Sequence, residues 1–454
     1  MKKTGSLSRL SVPVLGLAIL LTACSADGDG AGGSIYPLEV GSSGRYLVDQ
    51  QGNPFLIIGD APQALMINAS VSEARTLLAN RASHGFNSVW IMLICNAYSG
   101  GRSDASTYDG LVPFTIPGDL AFPNQAYFDR CDQIIQAAAD LGLNVILDPA
   151  DAGGFMAMLR ANGIAKCREY GRYLGNRYKG LDNIIWMSGS DFQSWRDATD
   201  NNLVKAIADG IKENDPGHLH TLQLDYFVSS SLDSSLWTGL VTLNAAYTYY
   251  PPYAEVLKGY NRAPVVPVFL IESDYEGENG ADAERLRRQE YWALLSGACG
   301  YVFGNAYVWP LANGWEQNLD TTGVREFGYC RALFDSRPWT SLVPDQTHNV
   351  LTSGYGTFWS GGTPSSGISQ NDYATAAATP DGKLALVYVP TSRTITVDLA
   401  TFSGAVTARW YDPTTGTYQS IAGSPFPNSA SQLFSTPGFH ADGAGDWILV
   451  LEAL

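Results

Sequence analysis

In "NIIWMSGSDF", residues 183–192, the apolar residues Ile184, Ile185, Trp186 and Met187 run without a break, Ser188-Gly189-Ser190 turns polar, and Asp191 follows. A continuous apolar run of this length, bounded by a glycine turn, reads as a strand buried on both faces. Seven similar runs lie around it. They are residues 54–60, 88–93, 144–149, 220–224, 240–245, 266–272 and 300–306. Amphipathic helical patterns separate most of them. The first follows residue 60, with Ser72 as its expected N-cap. The second covers residues 125–142 and stops at Gly142, a helix C-terminal signal.

Eight strand–helix repeats match the size and rhythm of a (β/α)8 TIM barrel. The fifth and sixth repeats carry the weakest helical pattern. An open doubly wound sheet is the alternative. It would want a glycine-rich phosphate loop after the first strand, and "GDAPQAL" (59–65) is not one. The barrel is expected over residues 37–344. From residue 345 to 454 the pattern changes to period-two alternation broken by Asp-Gly and Thr-Gly turns, which reads as a small antiparallel β-sandwich. Trp410, Tyr411 and Trp447 are expected in its core.

The chain has 454 residues, 45% hydrophobic and 16% charged, with 11 Trp, 24 Tyr and 17 Phe. Such aromatic content is ordinary for a large enzyme and also suits stacking on sugar rings. Residues 1–23 read as a signal peptide. Lys2, Lys3 and Arg9 precede an apolar stretch that ends in "LTAC", residues 21–24. The "LTAC" box resembles a bacterial lipoprotein signal, with Cys24 as the lipidated N-terminus and residues 24–36 as a flexible tether. A plain secretory signal is the alternative. The expected location is the cell envelope, facing the periplasm or the outside. Without residues 1–23 the 28 basic residues become 25 against 44 acidic ones, a net charge of −19. That balance argues against nucleic acid and other polyanions, and for a neutral substrate.

Five further cysteines remain. Cys131 and Cys167 fall in neighbouring helices, as do Cys299 and Cys330, so disulfides Cys131–Cys167 and Cys299–Cys330 are expected for an exported chain, with Cys95 unpaired. No Cys/His spacing suggests a metal, and no cofactor motif is present. His218 and His220 form a His-x-His pair without a third ligand in view, which favours packing or hydrogen bonding.

In a β/α barrel the active site lies at the C-terminal ends of the strands. The polar residues there are Asp60, Asn96, Asp148, Asp191, Gln223, Asn244, Tyr247, Glu272 and Asn305. Asp191 and Glu272 follow the cleanest strands, the fourth and seventh, whose ends face each other across the mouth. Two facing carboxylates are what glycoside hydrolysis needs. Each also has a structural reading. Asp191 could cap the next helix, and Glu272 could pair with an arginine of "RLRRQ" (285–289). Asp60 could hold a loop, and Asp148, before Pro149, could shape a turn.

The ordered set "GDAPQAL", "NIIWMSGSDFQ", "VFLIESDYEG", "RRQEYWALLSGACGYVFGNAYVW" and "RPWTSLVPD" resembles the apiosidase-like glycoside hydrolase family. The C-terminal part resembles the β-sandwich that usually follows it, often labelled a collagen-binding domain. The resemblance implies a (β/α)8 barrel, Asp191 as acid/base, Glu272 as nucleophile and Asp60 as a site residue. It implies a retaining mechanism, with carboxyls roughly 5–5.5 Å apart. Candidate sugar contacts are Asp60, Gln63, Asn96, Asp148, Gln193, Asn244, Tyr247, Tyr275, Asn305 and Trp309. Two positions depart from the family pattern. Gln63 or Ala64 stands where relatives carry Trp, and Gln223 stands where His is expected. The reaction type is unaffected, and furanosides of apiose or arabinose type, or another plant or microbial glycan, fit. A carbohydrate-binding surface lipoprotein without turnover is the competing reading. The long loop at 97–124 is expected to wall the cleft.

Overall fold

The computed structural model describes residues 34–359 and 366–454. The signal sequence, Cys24 and most of the tether lie outside the described residues. The eight barrel strands are β1 Ile57–Asp60, β2 Ser88–Met92, β3 Asn144–Asp148, β4 Ile184–Ser188, β5 His220–Leu222, β6 Asn244–Thr248, β7 Val268–Glu272 and β8 Gly300–Phe303. They pair in parallel from β5 back to β1, then through β8 and β7 to β6. Every residue of β1, β2, β3, β4, β6 and β7 is buried, as expected for strands covered inside and out.

The ring closes irregularly between β5 and β6. The Thr242 N–H donates to His220 O at 2.9 Å. Further up, the Ser231 hydroxyl is inserted between the strands. It donates to Leu222 O at 2.6 Å and accepts from the Ala245 N–H at 2.8 Å. One side chain thus supplies the ladder bond that the parting strands cannot make directly. A short strand, Val228–Ser230, runs antiparallel to β6 on this edge.

Seven long helices surround the strands. They are α1 Val71–Ser83, α2 Gln125–Asp140, α3 Ala152–Tyr178, α4 Ala198–Asn214, α5 Tyr253–Tyr260, α6 Ala283–Leu295 and α7 Thr322–Asp335. The fifth repeat has no α-helix. Two 3₁₀ turns, Ser231–Asp233 and Ser235–Trp237, take its place. The strand expected at 240–245 begins instead at Asn244, because Leu240, Val241 and Leu243 are buried as loop packing. Helix α1 is capped by Ser70 rather than Ser72. Ser70 and Glu73 form a capping box, each side chain meeting the other residue's N–H. Helix α3 is kinked at Gly163.

A three-stranded meander, Glu39–Val40, Leu47–Val48 and Pro54–Phe55, lies at the N-terminal end of the barrel. The Tyr36 hydroxyl donates to Gly142 O there, and Arg45 donates to Tyr260 O.

The C-terminal sandwich stacks a six-stranded antiparallel sheet on a three-stranded one. The larger sheet takes in Val343–Pro344, Thr375–Ala378, Leu384–Val389, Trp447–Ala453, Val406–Asp412 and Thr417–Ser420. The smaller has Leu351–Ser353, Thr394–Asp398 and Ser431–Ser435. Leu384–Val389 departs from the expected alternation, with all six residues buried. Ala385, Val387 and Val389 face the sandwich interior with Trp410 and Trp447. Leu384, Leu386 and Tyr388 belong to the apolar layer shared with α6 and α7, where Tyr388 stacks on Tyr291 at 5.1 Å. The sheet is therefore buried on both faces, and the sandwich is welded to the barrel.

The five described cysteines are free, buried thiols, so the expected disulfides Cys131–Cys167 and Cys299–Cys330 are not formed. Cys131, Cys167 and Cys330 lie on helices, but Cys299 lies past the end of α6, in the turn before β8, and the thiols sit within the apolar core as small packing groups. Among the described residues, no helix is long and apolar enough to cross a membrane, and no group of three His, Cys, Asp or Glu side chains is placed to hold a metal ion.

Candidate active site

Strand β4 ends in three consecutive left-handed residues, Gly189 (φ 99°), Ser190 (φ 59°) and Asp191 (φ 46°). A Cβ on Gly189 would lie 2.1 Å from Gln223 O, so only glycine fits. Left-handed Ser and Asp each cost about 1–2 kcal/mol. The turn persists because its backbone is pinned from both sides. The Ala152 N–H donates to Gly189 O, and the Gly153 N–H to Ser190 O. The Asp191 N–H donates to Gln223 Oε1 at 2.9 Å. Helix α4 is capped by Asp197, which leaves Asp191 no capping duty.

The Asp191 carboxylate accepts the Tyr98 hydroxyl at 2.6 Å on one oxygen and the Tyr247 hydroxyl at 2.7 Å on the other. Glu272, at the end of β7, accepts Gln223 Nε2 at 2.6 Å and the Tyr249 hydroxyl at 3.3 Å. Gln223 therefore holds both centres with one amide, its oxygen on the Asp191 backbone and its nitrogen on the Glu272 carboxylate. No arginine of 285–289 reaches Glu272. Arg285 pairs with Asp274, Arg287 with Asp446 and Arg288 with Glu284.

The two carboxyls face a pocket of about 180 Å³ lined by Gln63, Trp90, Met92, Tyr98, Ser99, Ser190, Asp191, Gln223, Tyr249, Glu272, Tyr275, Glu278 and Trp309. None of these is Lys, Arg or His. Burial pushes both carboxyls above the ordinary range, and the negative charge of Asp191 raises Glu272 further. Glu278 is raised by burial too. Below the pocket, burial takes Asp151 up to about 7 and Asp148 well above its usual value. Asp151 accepts the Ser99 hydroxyl and caps α3 through the Gly154 N–H. The expected His-x-His pair plays no part. His218 contacts Asp215, and His220 contacts the Ser188 hydroxyl, with burial driving its pKa down to about 3.

Of the residues singled out from the sequence, Asp191, Glu272, Gln63, Gln223, Tyr275 and Trp309 line the pocket. The Gln63 amide donates to the Tyr275 hydroxyl at 2.8 Å, and the Trp309 indole to Glu278 at 2.5 Å. Tyr247 and Gln193 act one step back, through Asp191 and the Tyr98 hydroxyl. Asn96 accepts the Tyr98 N–H and so fixes that loop. Asp60 is fully buried beneath the site, ion-paired with Arg81 at 2.6 Å. Asp148 is buried with its oxygen on the Ala150 N–H. Asn305 links to Glu276 on the rim. Asn244 begins β6, at the opposite end of the strand from the pocket, and accepts the Leu232 N–H. Tyr98, Ser99, Trp90, Met92, Tyr249 and Glu278 were not legible as site residues. Trp90 and Met92 carried one faint signal, a two-residue spacing on β2 that turns both to the same side.

A family model described as "Apiosidase-like, catalytic domain" matches residues 41–341. The chain belongs to the apiosidase-like family. A second model, described as "Putative collagen-binding domain of a collagenase", matches residues 366–452 of this apiosidase-like chain. Two solved structures share its fold over both parts. One, titled "Glycoside hydrolase", is 22% identical with a TM-score of 0.80, covering 92% of this chain and 97% of that one. The other, a glycoside hydrolase family 5 protein from Bacteroides vulgatus ATCC 8482, is 22% identical with a TM-score of 0.79, covering 92% and 93%. No curated protein matches the sequence. The apiosidase-like chain therefore has a glycoside hydrolase fold, and the pocket sits where that fold places catalysis.

Proposed function

We propose that the protein is a retaining glycoside hydrolase that removes a single terminal sugar, with Asp191 as acid/base and Glu272 as nucleophile. The observation that carries this reading is the pair itself, a buried Glu272 and a half-buried Asp191 tied through Gln223 in a pocket without a cation. Two such groups resist ionising together, and burial raises both. The reaction requires the proton on Asp191 and the charge on Glu272. Glu272 attacks the anomeric carbon as the bond to the leaving oxygen breaks, and Asp191 gives that oxygen its proton. Asp191 then takes a proton from water, which attacks the anomeric carbon and frees Glu272. The pocket of about 180 Å³ suits one ring. Gln63, Gln223 and Tyr249 offer partners for its hydroxyls, and Trp90 and Trp309 offer apolar faces. A furanoside of apiose or arabinose type fits the family. Lipid on Cys24 would hold the enzyme at a membrane of the cell envelope, and labelled palmitate incorporation lost in Cys24→Ala would support that.

Azide rescue tests the roles. With an aryl glycoside of a sugar found by screening, Asp191→Ala plus azide should give a glycosyl azide of retained configuration, and Glu272→Ala plus azide one of inverted configuration. The opposite pattern would exchange the roles. Wild-type inactivity across plant and bacterial glycans and their aryl glycosides would favour a sugar-binding protein without turnover.

A further inference from the structure

A larger cavity, of about 480 Å³, lies beside the first. The 97–124 loop and the first turns of α3 wall it with Val112, Pro113, Phe114, Pro117, Phe155 and Met158. Its wall is mainly apolar, and Asn96 there is engaged, donating to Gly154 O and accepting the Tyr98 N–H, while Ser103 and Asp104 are exposed. A sugar against the apolar wall would lose water for few partners, whereas an apolar ring would gain.

The two cavities share a thin wall. Gly153 lies under Tyr98 and Asp191, where a Cβ would be 2.6 Å from the Tyr98 ring and 3.1 Å from Asp191 Cβ. The next residue, Gly154, lines the larger cavity. Tyr98 has its hydroxyl on Asp191, yet the residue is 48% exposed, so its ring is open at the threshold. Glu272 and Tyr249 line the smaller pocket and take no part in this cavity. The leaving oxygen must approach the proton of Asp191, so the leaving group departs on the Tyr98 side.

We infer that the larger cavity is the leaving-group site and that it takes an aromatic or alicyclic ring system rather than a second sugar. The natural substrate is then a glycoside of an apolar alcohol or phenol. This rests on the reading of Asp191 as proton donor.

The test compares 2-phenylethyl and ethyl glycosides of one sugar, whose leaving alcohols have similar acidity. Wild type should favour the phenylethyl compound in kcat/KM by roughly tenfold to a hundredfold. Ala157→Trp, which fills the cavity from an exposed helix position, and Met158→Lys, which charges it, should erase that preference and leave the ethyl glycoside's kinetics unchanged. Equal use of both glycosides, or preference for a disaccharide, would overturn the inference and leave the glycosidase reading standing. If no glycoside is cleaved, that reading fails instead, and the cavity is judged by titrating wild type with 2-naphthol. Saturable binding lost in Ala157→Trp would uphold an apolar ring site, and no binding would remove it.

Discussion

At the barrel mouth Asp148, Asp151 and Glu272 are buried and Asp191 is half-buried, and no Lys, Arg or His lines the pocket that Asp191 and Glu272 face. At the barrel–sandwich contact Glu326 and Asp446 are buried as deeply, but Arg287 lies between them. Its guanidinium grips both oxygens of Asp446 at 2.9 Å and one of Glu326 at 2.6 Å. Desolvation acts on both groups of acids, and only the second has a cation to answer it. Acids sharing an arginine brace two layers of the fold. Acids left without one are raised by burial with no cation to oppose it.

The contrast breaks most visibly under substitution. Glu272→Gln should lower kcat by roughly 10⁴-fold or more. Its melting temperature should equal or exceed that of wild type, because a buried charge has been removed from a site built for reaction. A cooperative loss of fold would show that Glu272 is structural. Arg287→Met should do the reverse. It strands buried carboxylates and should cost about 3–5 kcal/mol in denaturant unfolding, while kcat of the folded enzyme at low temperature stays unchanged. Full stability in that variant would mean that apolar packing of Tyr291, Trp292 and Tyr388 alone holds the sandwich. Gln223→Ala sharpens the comparison from within the site. It deprives Glu272 of its 2.6 Å donor and frees the Asp191 backbone, so kcat should fall by about 10- to 100-fold and stability by about 1–3 kcal/mol. An effect on KM alone would make Gln223 a sugar contact rather than a positioning residue.

The barrel was legible because both faces of its strands are covered, so whole runs such as Ile184, Ile185, Trp186 and Met187 are apolar. Its fifth repeat was not. Leu240, Val241 and Leu243 are as apolar as a strand but pack as loop, and a serine hydroxyl rather than a ladder joins β5 to β6. Asp191 and Glu272 were legible because strand ends place them without help. Tyr98 and Tyr249 come from loops, and their approach to the carboxyls is set by distant packing that no local pattern records. Asp60 misled for the converse reason, since a polar residue at a strand end can also turn to an arginine, here Arg81. Cys131, Cys167 and Cys330 fall on the expected helices, but Cys299 does not, and spacing does not reveal that the thiols pack in the core.

The smallest expected effect concerns pH. Asp151 at the mouth and Glu326 at the contact are both pushed up to about 7, chiefly by burial, and Arg287 only partly offsets this for Glu326. Unfolding returns each to the ordinary carboxyl range near 4. Between about pH 4 and 7 the folded chain therefore binds more protons than the unfolded one, so stability falls as pH rises through this window. Each group's contribution is fully present at the acidic end and lost above its folded value. Asp151→Asn and Glu326→Gln should each flatten the decline in melting temperature between pH 5 and pH 8, by about 1–2 °C. The flattening should be greater for Asp151, which has no cation beside it. Equal slopes in both variants and wild type would mean that neither group keeps its proton in the folded protein. A larger effect from Glu326 would mean that a shared arginine compensates buried acids less well than the geometry at the contact implies.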